Sequence, residues 1–195
     1  MIIISNPIAI ANEINTIHAL FEEGMDLFHI RKPNFSEREI TDFVTSIGLK
    51  YSQKLVLHSH HHLAEDLGIN RIHFTEKART NSIRVSNPDG IISTSTHSTA
   101  EFNTLSNDDY EYAFLSPVFP SISKENYISK TDLFEEVKKR TNFNTKLVAL
   151  GGISAANVKQ TLEHGFDDVA LLGTIWNSEK PVKNFLLCQQ IAHSF

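Results

Sequence analysis

Eight short runs of apolar, largely β-branched residues recur along this chain, and they limit what it can fold into more than any other feature. They are Ile2–Ile4, Leu27–Ile30, Leu55–Leu57, Arg71–Phe74, Ile91–Thr94, Tyr112–Leu115, Leu147–Leu150 and Val169–Leu172. Several are apolar throughout, as strands are when a parallel sheet is covered on both faces. Amphipathic stretches with helical spacing lie between most of them. Ile14, Ile17, Leu20 and Phe21 form one; Ile40, Phe43, Val44 and Ile47 form another, after a Ser36 placed as an N-cap with Glu39 at the third helical position. Ser154 opens a further helix, with Val158 and Leu162 on one face and Gly165 ending it. Strands alternating with helices, with no Pro/Ser/Gly linker, predict one α/β domain over residues 1–195, a single (β/α)8 TIM barrel. Residues 75–90 carry little helical signal, and a doubly wound open sheet is the alternative.

The 195 residues suffice for one sizeable core, and the net charge of -5 gives no reason to expect nucleic acid or an acidic membrane as partner. Basic residues that converge on one site of such a chain suit a small phosphorylated substrate. The single cysteine, Cys188, sits among Phe185, Leu186, Leu187 and Ile191 and reads as a buried core thiol. The opening MIIIS lacks a basic stretch, and no apolar run approaches the ~18 residues of a membrane span. The expectation is a cytoplasmic protein with no membrane partner. A homo-oligomer is left open.

In a β/α barrel the chemistry sits where strands end and loops begin. Reading the residues after each predicted strand gives His29-Ile30-Arg31-Lys32-Pro33, His58 to His62, Ser95-Thr96-His97-Ser98, Ser116-Pro117 with the loop to Lys124, Gly151-Gly152 and Gly173-Thr174. Glycines let a backbone approach a ligand closely, and a following helix start offers free N–H groups to an anion. Gly151-Gly152 alone could be only a tight turn. A second glycine turn, Gly173-Thr174, at the next strand makes a phosphate site the stronger reading. Arg31, Lys32 and Lys124, with Ser121 and Ser123, suit a second anion or one flexible charged ligand. His97 is a candidate proton carrier, with a purely structural histidine as the alternative. His58, His60, His61 and His62 invite a zinc reading. No cysteine joins them, however, and neighbouring histidines cannot all face one ion, so the expectation is a polar loop with no metal. Asp167-Asp168 precedes the last strand, on the barrel's stability face, and is not read as catalytic.

These motifs resemble the thiamine phosphate synthase and TenI (thiazole tautomerase) family over nearly the whole chain. The family's Q/H-L/I-R-x-K motif reads HIRKP at 29–33, matching through Arg31, with its lysine one place early at Lys32. V-S-T-H-S reads TSTHS at 94–98. G-P-V-F-P-T-x-T-K reads SPVFPSISK at 116–124, the most specific match, and V-A-I-G-G-I reads VALGGI at 148–153. The resemblance implies a barrel acting on the thiazole phosphate half of thiamine, with glycine-turn amides holding the phosphate.

The departures fall on the metal. Synthases of the family join a pyrimidine diphosphate to the thiazole phosphate, holding Mg²⁺ with an Asp in an I-N-D motif and another following V-H-L-G-Q. Here Leu57-His58-Ser59 puts Ser59 at the first position, and Ile72-His73-Phe74-Thr75-Glu76-Lys77-Ala78 puts Ala78 at the second. A hard cation wants carboxylate oxygens. The resemblance therefore favours a TenI-like tautomerase that needs no cofactor, with His97 as acid and base. The synthase is the alternative, with Arg31, Lys32, Ser95 and Lys124 on the diphosphate, and only it would call for Mg²⁺. A catalytically silent phosphate-ligand binder is the third reading.

Overall fold

Eight parallel strands pair in chain order and the last pairs back onto the first, so the barrel is closed. The computed structural model describes residues 1–80, 90–119 and 133–195. The strands are β1 (Ile2–Ile4), β2 (Leu27–Ile30), β3 (Leu55–Leu57), β4 (Arg71–Phe74), β5 (Ile91–Thr96), β6 (Tyr110–Leu115), β7 (Lys146–Leu150) and β8 (Asp168–Leu171). Closure rules out the open-sheet alternative.

Alternation along each strand sorts side chains into two layers. Ile3, Phe28, Ile30, Leu55, Leu57, Ala113, Leu115, Ala149 and Leu171 join helix residues such as Ile17, Leu20, Ile40, Val44 and Phe185 in one continuous outer core. The intervening positions Ile2, Ile4, Tyr112, Phe114, Val148 and Ala170 form a separate cluster on the barrel axis. Burying one Ile, Leu or Phe contributes roughly 1.5–3 kcal/mol, so the outer layer dominates stability. Cys188 belongs to it, and burial pushes its thiol up to about 11, which makes it inert at neutral pH.

The helices are α1 (Glu13–Glu22), α2 (Glu37–Ile47), α3 (Glu76–Thr80), α4 (Thr99–Asn103), α5 (Leu133–Val137), α6 (Val158–Glu163), α7 (Gly173–Trp176) and α8 (Pro181–Ala192). Ser36 caps α2 through the amide of Glu39, whose carboxylate returns a bond to the Ser36 amide, as the sequence pattern predicts. Several bounds shift: β6, β7 and β8 begin at Tyr110, Lys146 and Asp168, so Asp168 opens β8 rather than preceding it. β5 runs on to Thr96, because Thr94 and Thr96 give their hydroxyls to the carbonyls of Phe74 and Phe114, so polar residues continue the strand. α6 begins at Val158 rather than just after Ser154, because Asn157 folds back to accept from the Ser154 amide. Among the described residues no helix is long and apolar enough to cross a membrane.

Lys32 is corrected from an anion-binding residue to a structural one. Its ammonium is buried 2.6 and 2.8 Å from the two carboxylate oxygens of Glu13 and 2.9 Å from the carbonyl of Ile8. The rings of Phe35 and Phe43 lie 5.3 and 4.8 Å away. Burial pushes the Glu13 carboxyl up and the Lys32 ammonium down, while their mutual attraction opposes both shifts. The pair ties the start of α1 to the chain leaving β2. Removing one partner of such a pair costs about 3–5 kcal/mol, whereas replacing both with apolar residues costs little. Glu13→Gln should therefore lower urea stability by about that amount, and the double variant Glu13→Leu/Lys32→Met should recover most of it. An unchanged midpoint in Glu13→Gln would show that the pair is not holding these loops.

Candidate functional site

The inward positions of β2, β3 and β4 are not filled like the rest of the axis. They carry His29, His58 at the end of β3, and His73, and one ring nitrogen from each lies within 4.8 Å of the other two. His29 Nδ1 and His58 Nε2 are 2.8 Å apart, and His29 Nε2 is 2.6 Å from the Tyr112 hydroxyl. His73 meets Ser93 Oγ with one nitrogen and Ser95 Oγ with the other, each at 2.9 Å. Burial, then the neighbouring imidazoles and cations, holds all three histidines below their ordinary range, His73 at about 3. They are neutral at physiological pH. Burial likewise pushes the Tyr112 phenol far up, so it stays a hydroxyl.

The histidine run at 58–62 disperses. His60 bonds the Phe35 carbonyl at 2.9 Å, His61 packs edge-on against Phe74, and His62 lies 3.1 Å from Glu37. Of this run, only His58 enters the barrel.

His97 follows β5 on the exposed rim. Its Nδ1 is 2.9 Å from the Ser116 carbonyl, which can only accept, so Nδ1 carries the proton and Nε2 holds the lone pair. Glu76 stands 3.7 Å from that Nε2. The backbone is fixed as well: the His97 amide donates to Glu101 at 2.7 Å, and Glu101 pairs with Arg79, which also reaches the Ser95 carbonyl at 3.1 Å. Arg31 is exposed just after β2, and its positive charge adds to the depression of His58 and His73. Ser95 faces inward onto His73.

The glycine turns have separate causes. Gly151 has φ +105, and a Cβ there would come within 2.9 Å of Pro117, so close packing alone explains it. Gly152 has φ +65, and its carbonyl accepts from the Asn157 side chain at 2.9 Å. Asn157, which the sequence reading passed over, thus braces the turn from both sides. Thr174 opens α7 beside Gly173 and gives its hydroxyl to the Ile153 carbonyl, which joins the two turns. Ser123 and Lys124 lie outside the described residues, as does Ser121.

The two residues at the positions of the family's aspartates do not fit Mg²⁺. Ser59 carries a buried hydroxyl with no hydrogen-bond partner, and Ala78 offers no donor atom. Among the described residues the one cluster of three potential ligands is the histidine trio, all nitrogen, whereas Mg²⁺ takes oxygen.

A model of the family described as thiamine monophosphate synthase matches residues 1–175. The thiamine-phosphate synthase of Desulfitobacterium hafniense (strain Y51) is 25% identical over 173 residues, covering 85% of this chain and 83% of that protein. A crystal structure of thiamine phosphate pyrophosphorylase from Bacteroides thetaiotaomicron superposes with a TM-score of 0.81 at 28% identity, over 99% of this chain and 97% of that one. The pyrophosphorylase from Pyrococcus furiosus gives 0.80 at 17% identity over 99% and 95%, a likeness of fold alone.

The buried imidazoles make stability depend on pH. Their folded pKa values lie below the ~6.5 of an unfolded histidine, so as pH falls the unfolded chain binds protons that the folded chain does not. Their contribution is full above pH ~6.5 and declines below it, by about 1.4 kcal/mol per pH unit per imidazole, until the folded value is reached, about 3 for His73. Urea unfolding in the presence of a chelator should show the midpoint falling between pH 7 and pH 5, before most carboxylates titrate. A flat midpoint over that interval contradicts the burial described here.

Proposed function

Because the chain belongs to the thiamine monophosphate synthase family, we propose that it holds a thiazole phosphate at its two glycine turns and moves a proton on the ring with His97, as a tautomerase. The observation that carries this reading is the state of His97. Its Nδ1–H is given to the Ser116 carbonyl, so in the neutral ring Nε2, on the rim of the barrel, is the nitrogen left to take a proton. Nε2 would take a proton from one ring atom, and the imidazolium formed would keep its bond to Ser116 with Glu76 facing it at 3.7 Å. The same nitrogen would return the proton to another ring atom. Nothing else enters or leaves, so this chemistry needs no metal-bound pyrophosphate.

The phosphate would meet the amides of the Gly152 turn and of Gly173-Thr174. Asn157 and the Thr174 bond to Ile153 support that assignment by holding the two turns together. Arg31 is the cation at the mouth suited to a second anionic group. Ser123 and Lys124 remain candidates for it by sequence pattern alone.

The synthase reading is favoured by the names that the relatives carry. Against it stand Ser59 and Ala78, which supply no carboxylate for the ion that a departing pyrophosphate needs.

Two variants test the proposal. Gly152→Asp adds a side chain and a like charge at the turn, and should weaken thiazole phosphate at least tenfold by calorimetry, about 1.4 kcal/mol. Unchanged affinity with the fold intact removes this site. His97→Asn should lower proton exchange on the thiazole phosphate, followed by NMR in heavy water, by roughly 10²–10⁴-fold with little change in affinity. Equal exchange in wild type and variant makes His97 structural. Pyrophosphate release from the paired substrates without exchange promotes the synthase, and binding with neither leaves a silent binder.

A further inference from the structure

We propose that His29, His58 and His73 form a binding site for one zinc-class divalent ion inside the mouth of the barrel. This goes beyond the proton-transfer reading and does not rest on it.

His29 and His73 sit on β2 and β4, and His58 follows β3 directly with its amide donating to the Ile30 carbonyl at 3.2 Å, so the barrel sets most of the trio's geometry. Register brings the members together: His29 pairs across to Val56, two residues before His58, and Leu57 pairs with Ile72, one residue before His73. Strands facing them supply Tyr112, Phe114 and Val148 to the same interior. A layer needed only for packing would be filled with such residues on all sides. Three imidazoles here displace apolar contacts and bring six ring nitrogens that must each find a partner.

The neighbours suit ligation. A metal-bound imidazole gives its other ring nitrogen to an acceptor, which fixes ring and tautomer. Tyr112 stands 2.6 Å from His29 Nε2, and Ser93 stands 2.9 Å from His73 Nδ1. Hydroxyls accept as readily as they donate. His29 Nδ1 and His73 Nε2 can thus turn their lone pairs to the ion, with His73 giving up its bond to Ser95. The proton shared by His29 and His58 across 2.8 Å occupies the place the ion would take. Two nitrogens on one tetrahedral zinc, at bonds of about 2.0–2.1 Å, stand roughly 3.3 Å apart. The pair must therefore open by about half an ångström, and the stacked rings of His58 and His73, centroids 4.2 Å apart, must tilt away from each other. Nitrogens of the trio that stand farther apart, up to 4.8 Å, must close toward the same separation, so loading the site requires all three rings to turn.

The ligand set selects the ion. Three nitrogens and no carboxylate suit Zn²⁺ and its first-row neighbours and disfavour Mg²⁺ and Ca²⁺. Three protein ligands leave a fourth position open. Neutral imidazoles leave the ion's charge uncompensated, so that position takes hydroxide or an anionic atom of a bound molecule. His58, at the strand end and only partly buried, is the member nearest the opening.

The test uses the full chain stripped with a chelator and dialysed against ZnCl₂ or CoCl₂. One tightly held ion per chain is expected, with the visible absorption of tetrahedral Co²⁺. His58→Asn and His73→Asn should each weaken Zn²⁺ at least a hundredfold, while the double surface variant His60→Ala/His62→Ala should leave it unchanged. X-ray absorption on the zinc-loaded wild type reads the ligands even if a variant fails to fold, and three imidazole nitrogens are expected. Absence of a stoichiometric ion, oxygen-dominated ligation, or loss of binding only in the surface variant would each overturn the site. None of these readouts involves thiazole turnover, so the site and the tautomerase reading stand or fall separately.

Discussion

Closure of the parallel ladder from β8 back to β1 is the constraint on which the rest of this structure depends. Once the sheet has no edge, every strand residue faces either the helices or the axis, and the period-two alternation decides which. The outer face is paid in apolar area and holds the fold. The inner face is small, and half of it is given to polar groups. Ser93, Ser95, His29 and His73 are inward because Thr94, Thr96, Phe28, Ile30, Ile72 and Phe74 are outward.

That division explains why the interior is asymmetric. β1 and β6 to β8 contribute Ile, Tyr, Phe, Val and Ala to the axis, whereas β2 to β5 contribute imidazoles and hydroxyls that bond among themselves and to the Tyr112 hydroxyl. The polar half adjoins Arg31, and β5 carries it on to His97 at the rim. One wall of the barrel thus holds the groups able to bind charge or move protons, and the opposite wall carries the glycine turns. A ligand anchored by phosphate at one wall would present its far end to the other.

Departures from the family's motif pattern follow one direction. Leu57-His58-Ser59 stands where that pattern has I-N-D, so the same stretch loses a carboxylate and gains an imidazole. Ser59 and Ala78 offer no carboxylate for Mg²⁺, and the imidazole of His58, next to Ser59, gathers with those of His29 and His73. The inner wall there carries imidazoles and hydroxyls, with the Glu76 and Glu101 carboxylates outside it on the rim beside His97.

The sequence by itself determined the strand order, the capped start of α2, the burial of Cys188 and the glycine turn after β7, because each is written in local periodicity or in a residue's own conformational limits. Lys32 could not be read that way. Next to Arg31 it looks like a second cation for a ligand, and only the packing of α1 against β2 brings Glu13 to it and takes it out of solvent. The meeting of the histidines is hidden for the same reason. Neighbours in sequence point apart, as the sequence reading of His58 to His62 expects, whereas His29, His58 and His73 converge from β2, the end of β3 and β4 through a register that no local pattern encodes. Tertiary structure decided which polar groups meet, because parallel pairing aligns residues far apart in the chain and alternation then turns them to a common axis.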